Sequence, residues 1–223
     1  MSDFQLYNPL DKASLGASVA EALLCRKVRP LAGLPAFDGA GVYAIYYTGT
    51  LPVYLRLAGH NQSDDPQAPI YVGKAVPDGA RKGRARTGSA PARALYRRLR
   101  EHAESIEAAE NLKLSDFVCR VLVVDDIWIP LGESLLIAKL APIWNSLVDG
   151  FGNHDPGRGR YGGQRPRWDV LHPGRAWAMK CQPHTETAES IAREVEARLA
   201  SEPSLAQSRF LAEERRVAFG ARR

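Results

Sequence analysis

Two short runs limit what this chain can fold into: "GVYAIYYTG" at 41–49 and "PIYVG" at 69–73, each setting a tyrosine two residues from a glycine. Both are dense in β-branched and aromatic residues and bounded by turn formers, so both read as strands. Alternate side chains of a strand share a face. Val42, Ala44 and Tyr46 therefore point one way and Tyr43, Ile45 and Tyr47 the other. In the second run Ile70 and Val72 take the core side and Tyr71 faces outward beside Gly73, so Tyr43 and Tyr71 can line one surface. Either tyrosine alone is also what an ordinary amphipathic strand carries. "LPVYLRLAG" (51–59) is a further short strand candidate, and "DFVCRVLVVDD" a buried one by its continuous apolar run. The expected fold is α+β, with a small three-stranded antiparallel or mixed sheet flanked by helices.

Helical spacing places the first helix over residues 11–25, with Leu15, Val19, Leu23 and Leu24 as its apolar positions. A second, over residues 92–110, carries Leu95, Leu99, Ala103 and Ile106 on one stripe, with Arg98 and His102 as surface neighbours one turn apart. "PLGESLLIAKLAPIWN" is a helix that must end near Pro142, because proline cannot donate the next backbone hydrogen bond. Glu133 then falls in its first turn. Two terminal helices follow in "TETAESIAREVEARLA" and "LAQSRFLAEERRVAF". The expected organisation is one compact unit: a helical extension (1–37), a core (38–150) interrupted by a glycine-rich basic loop (76–91), a loop-rich region (151–184) and a C-terminal helical extension (185–223).

The chain has 223 residues and a formal net charge of +5, but the charge is concentrated. Lys74, Arg81, Lys82, Arg84, Arg86, Arg93, Arg97, Arg98 and Arg100 face only Asp78 and Glu101 nearby. Arg158, Arg160, Arg165, Arg167, Arg175 and Lys180 form a second cluster. Two such stretches point to a polyanion, with nucleic acid as the default partner. No apolar run approaches the roughly 20 residues that span a bilayer, and the N-terminus lacks the apolar stretch of a signal peptide. A soluble cytoplasmic protein without a membrane partner is expected. Cys25, Cys119 and Cys181 are odd in number and never paired as C-x-x-C, which argues against a disulfide framework or a thiolate zinc site.

A glycine–x–tyrosine strand, a tyrosine–x–glycine strand, arginine and histidine four apart on a helix, a lone glutamate and a late asparagine form a series. It resembles the GIY-YIG nuclease family, with Gly41, Val42 and Tyr43 as the first motif and Tyr71, Val72 and Gly73 as the second. Valine stands at both isoleucine positions. Arg98, Glu133 and Asn145 match the family's helix arginine, metal-binding glutamate and late asparagine, and His102 takes a position that varies among its branches. "LYRRLREH", "WIPLGESLLI", "PIWN", "GFGNHDPGRGR" and "WDVLHPGRAW" are similar to the branch of type II restriction endonucleases built on this fold, over residues 38–180.

The resemblance implies a restriction enzyme that hydrolyses double-stranded DNA with Mg²⁺, one ion per active site on Glu133. Its implied partners are a homodimer mate on DNA, since each site cuts one strand of a palindrome, and a cognate DNA methyltransferase. Tyr43 would be the base toward water and Tyr71 its positioner, or the reverse. Neighbouring cations, Lys74 or Arg98 or a metal, would lower the tyrosine pKa from about 10. Arg98 would grip the phosphate through its planar fork. His102 would orient Tyr43 or pass a proton, and Asn145 would steady Glu133 or the phosphate. Lys74, Arg81, Lys82, Arg84, Arg86, Asn153, His154, Arg158, Arg160, Gln164, Arg165, Arg167 and Arg175 are the candidate DNA contacts. A GC-rich site is implied, CCGCGG being the guess. His154, Asp155 and His172 lack the spacing of a zinc site. The competing readings are a repair or homing nuclease of the same fold, and a DNA-binding protein without catalysis.

Overall fold

The computed structural model describes residues 12–77, 93–157, 159 and 161–201. Its centre is a four-stranded antiparallel sheet in the order β1-β4-β2-β3, built from β1 (Arg29–Pro30), β2 (Gly41–Tyr47), β3 (Pro69–Ala75) and β4 (Phe117–Val123). The strand beyond the three expected is β1. Two residues containing a proline give no period-2 signal, and proline is tolerated there because β1 is an edge. No described helix is long and apolar enough to cross a membrane.

Helices cover the sheet on both sides, so every residue of β2 is buried. On one face Val42, Ala44 and Tyr46 pack with Val72 and Leu122 against α1 (Lys12–Leu24) and α4 (Ile129–Leu140). On the other, Tyr43, Ile45 and Tyr47 meet Leu95, Leu99 and Ile106 of α3 (Ala94–Ala108) and Ile143 and Trp144 of α5 (Ile143–Ser146). Behind these stand Trp168 and Leu171 of α6 (Arg167–Leu171) and Ile191, Val195 and Leu199 of α7 (Ala188–Ala200).

Four local expectations change. "LPVYLRLAG" is a proline-started turn leading into α2 (Leu55–Gly59), because its buried residues Val53, Tyr54, Leu57 and Ala58 recur with a helical, not a strand, period. Ile70 and Val72 do not share a face. The β2–β3 register shifts between Ile45 and Tyr46, leaving Ile70 unpaired as a bulge that joins the Tyr43 side while Val72 joins the other. Tyr71 is consequently half-buried against the core rather than turned to solvent. Glu133 lies beyond the first turn of α4, which begins at Ile129 and has no acidic residue there. The second C-terminal helix and most of the basic loop lie outside the described residues.

A buried chain of hydrogen bonds ties the region after α5 to the core. Trp144 Nε1 donates to Tyr54 Oη (2.8 Å), so the phenol proton must go to His172 Nε2 (2.8 Å), and His172 Nδ1–H donates to Asn111 Oδ1 (2.9 Å). Asn111 closes the chain through Nδ2 to the Leu171 carbonyl (2.9 Å). The imidazole is neutral with both nitrogens engaged, and burial first, then the positive charge of Arg175, pulls its pKa down to about 3. In the unfolded chain it titrates near 6.5. Between those values the unfolded state binds the extra proton, so stability is fully present above about pH 6.5 and is lost as pH falls toward 3. Urea unfolding should show a slope approaching ~1.4 kcal/mol per pH unit from this residue alone. His172→Gln should flatten that dependence, and an unchanged slope would refute the assignment.

Candidate active site

Tyr43 stands opposite Gly73 in the β2–β3 register, and its ring occupies the space a side chain would need. A Cβ on Gly73 would lie 2.3 Å from Tyr43 Oη and 2.5 Å from Cζ. Gly41 answers a similar constraint: a Cβ there would lie 2.1 Å from the Leu122 carbonyl oxygen on β4. The glycines of both motifs are thus sites of close approach.

Burial, then the neighbouring Tyr71, pushes the Tyr43 pKa well above the ordinary value, and Arg98 lowers it only in part. Of the cations expected to depress it, Arg98 does so, but desolvation outweighs Arg98. Burial likewise raises Tyr71, again against Arg98. Tyr43 Oη lies 2.6 Å from His102 Nε2. His102 was expected on the surface of α3, yet it shares the buried stripe with Leu95, Leu99 and Ile106. Burial and then Arg98 pull its pKa well below 6.5, so the imidazole is neutral. With the phenol keeping its proton, Tyr43 Oη–H donates to Nε2 in the tautomer that carries the imidazole proton on Nδ1. The result is a neutral phenol on a neutral imidazole.

Arg98 is half-buried and held from several sides. Its Nη2 donates to the Gly152 carbonyl (2.8 Å), and its Nη1 contacts Glu101 Oε2 (2.8 Å) and His154 Nε2 (2.5 Å). Glu133 arrives from α4, on the opposite face of the sheet, and its Oε2 meets Lys74 Nζ at 2.6 Å. These groups border one cleft of about 870 Å³, lined by Tyr43, Tyr71, Lys74, Arg97, Arg98, Glu101, Glu133, Gly152 and His154 among others. Glu133 fits a hard cation: its carboxylate is partly exposed to the cleft and already holds an ammonium. Among the described residues no group of three His, Cys, Asp or Glu could hold a metal.

Asn145 is held by the backbone of β3. Its Oδ1 accepts from Val72 N and its Nδ2 donates to Val72 O, both at 2.8 Å, so the amide caps the β3 edge between Tyr71 and Gly73. The candidate DNA contacts also divide. Arg175 is buried, and Arg167 is spent on Glu186, Glu194 and the Leu147 carbonyl; neither is available to DNA. Arg165 gives its Nε to the Ala178 carbonyl (3.1 Å). Lys74 and His154 line the cleft, while Asn153 and Gln164 are exposed. Arg81, Lys82, Arg84, Arg86, Arg158 and Arg160 lie outside the described residues. The structure adds Glu101 and Gly152 to the site. Glu101 was foreshadowed by its three-residue spacing from Arg98, whereas Gly152 carried no local signal.

A small antiparallel sheet that brings two glycine-flanked tyrosines to a helix arginine and to a glutamate from a later helix defines a GIY-YIG nuclease. The family model of the Eco29kI GIY-YIG domain matches residues 35–199, and the chain belongs to this family of restriction endonucleases. No curated protein matches it by sequence.

The Gly73–Tyr43 contact yields a direct test. Gly73→Ala should displace the Tyr43 ring, destabilise the fold by about 1–3 kcal/mol and break the Tyr43–His102 bond. An unfolding curve and an NMR spectrum of the His102 ring check it. An unshifted ring resonance would refute the packing argument.

Proposed function

We propose that the protein is a type II restriction endonuclease that hydrolyses double-stranded DNA at a GC-rich palindrome, with CCGCGG as the candidate site and Mg²⁺ as cofactor. The observation that carries the reading is the convergence of Tyr43, Tyr71, Arg98, His154, Lys74 and Glu133 on one cleft, with His102 behind Tyr43. Lys74, Arg97 and Arg98 outnumber Glu101 and Glu133 around the neutral phenols, which suits a phosphodiester whose charge the cations attract and whose attacking water the phenols meet.

Tyr43 is the proton acceptor for that water. A buried phenol is a poor base as a free phenolate, since forming the anion costs desolvation. As its oxygen takes the proton of water, its own proton passes along the 2.6 Å bond to His102 Nε2, so no phenolate accumulates. An approaching phosphate favours the imidazolium that results. Tyr71, at a ring distance of 6.3 Å from Tyr43, orients the water or the phosphate. Arg98 offers its fork to the phosphoryl oxygens as negative charge builds on them. Glu133 holds the Mg²⁺, which when bound supplies charge stabilisation to the phosphate and the leaving oxygen. One such set of groups cuts one strand, so cleavage of a palindrome uses a twofold dimer. A host carrying this activity needs a matching methyltransferase to protect its own sites.

Pure protein incubated with plasmid and Mg²⁺ should give discrete double-strand fragments whose ends map to one palindrome. Nicks alone would favour a repair-type activity, and tight binding without cleavage would sink the enzyme assignment. Tyr43→Phe and Glu133→Ala should each slow cleavage by about 10³-fold or more, with DNA affinity retained. Glu133→Ala should bind DNA at least as tightly as wild type, because it removes a negative charge from the cleft.

A further inference from the structure

Arg175 is 4% exposed, and its hydrogen bonds account for all five N–H groups of a guanidinium. Nε and Nη2 donate to the two oxygens of Asp169 at 2.6 and 2.5 Å. Nη1 donates to the carbonyls of Phe151 (3.1 Å) and Asn153 (3.2 Å), and Nη2 to that of Gly150 (2.9 Å). The plane is further packed on Trp168 and Trp177, 4.5 and 4.7 Å from their ring centroids. Nothing remains to touch a base or a phosphate.

The three carbonyls belong to one loop, and that loop bears on the active site at each step. Phe151 stacks on the His102 ring at 4.5 Å and 17°, and meets Tyr71 edge-on at 5.0 Å. Gly152 presents its carbonyl to Arg98 Nη2, and His154 lies against Nη1. A loop without ladder partners needs another source of order. A charged fork neutralised by a buried carboxylate supplies it, since such charge-assisted bonds are both strong and directional. A buried ion pair is weak evidence for stability as such, which leaves geometry as its use.

We infer that Arg175, oriented by Asp169, is a positioning residue for phosphodiester cleavage, acting through the loop Gly150–His154 to set the directions of Arg98 and His102. The inference rests on the reading of Arg98 and His102 as active-site groups. A DNA-reading arginine would act on affinity. A positioning arginine acts on the rate at which bound DNA is cut.

Two variants separate these. Arg175→Lys keeps the charge opposite Asp169 and loses the fork. Gly152→Ala leaves the Arg175–Asp169 pair intact but places a Cβ 2.7 Å from Tyr71 Oη and 3.3 Å from Arg98 Nη2. For each, four quantities are measured: melting temperature, affinity for a duplex containing the mapped site as a function of salt, single-turnover cleavage at saturating protein, and the Arg98 guanidinium resonances of the free protein. The expected result for both is a single-turnover rate lower by about 100-fold. Affinity should stay within about threefold with an unchanged salt slope, and the Arg98 resonances should shift. A wild-type single-turnover rate in Arg175→Lys would overturn the inference. So would a loss confined to affinity with the salt slope reduced by about one. Should Arg175→Lys fail to fold, Gly152→Ala decides, and a wild-type rate with unmoved Arg98 resonances refutes the role of the loop. Wild-type protein that cuts no DNA would sink the nuclease reading, whereas the Arg98 resonances would still test the positioning.

Discussion

The placement of Tyr43 in a sheet covered on both faces is the constraint around which the rest of the site is arranged. A phenol there is desolvated, and a desolvated phenol holds its proton and needs a partner. His102 supplies one at 2.6 Å, which in turn requires a histidine on the inner stripe of α3, itself neutral because it is dry. Gly73 follows from the same placement, since the ring fills the space above the neighbouring strand. The motif's tyrosine, its opposing glycine and the helix histidine are one packing solution.

The site is assembled from two layers that the sheet separates. Tyr43, Tyr71, Arg98 and His102 belong to the α3 side, and Glu133 comes from α4 on the other. They meet at the β3 edge, where Lys74 reaches Glu133 and Asn145 satisfies the Val72 amide and carbonyl. An open strand edge is a liability unless covered. Asn145 covers it with a side chain that mimics a strand's own donor and acceptor, at the residue between Tyr71, opposite Ile45, and Gly73, opposite Tyr43.

The late arginine-rich region shows why composition alone misassigns charges. Arg167 and Arg175 resemble DNA contacts when counted along the chain, but each has carboxylates and carbonyls brought to it by folding. Arg167 meets Glu186 and Glu194 across a distance in sequence at which no local pattern pairs charges. The strand faces were legible because period 2 is a local property. The bulge at Ile70 was not, because a register shift depends on the partner strand. The same holds for "LPVYLRLAG", where β-rich composition outweighed the period of its buried residues.

The chemistry-bearing residue types and their order were written in the sequence: a tyrosine beside a close-packing glycine on each of two strands, arginine and histidine one helical turn apart, a glutamate on a later helix. Local rules suffice for that, because alternation and helical spacing act over a few residues. Tertiary structure alone decided the protonation states and the division of labour. Burial outweighed Arg98 at Tyr43, the core claimed His102, and five fixed acceptors converted Arg175 from a potential reader of DNA into a support for Arg98. Desolvation and hydrogen-bond satisfaction are properties of an enclosed volume, and a volume exists only once distant segments have closed around it.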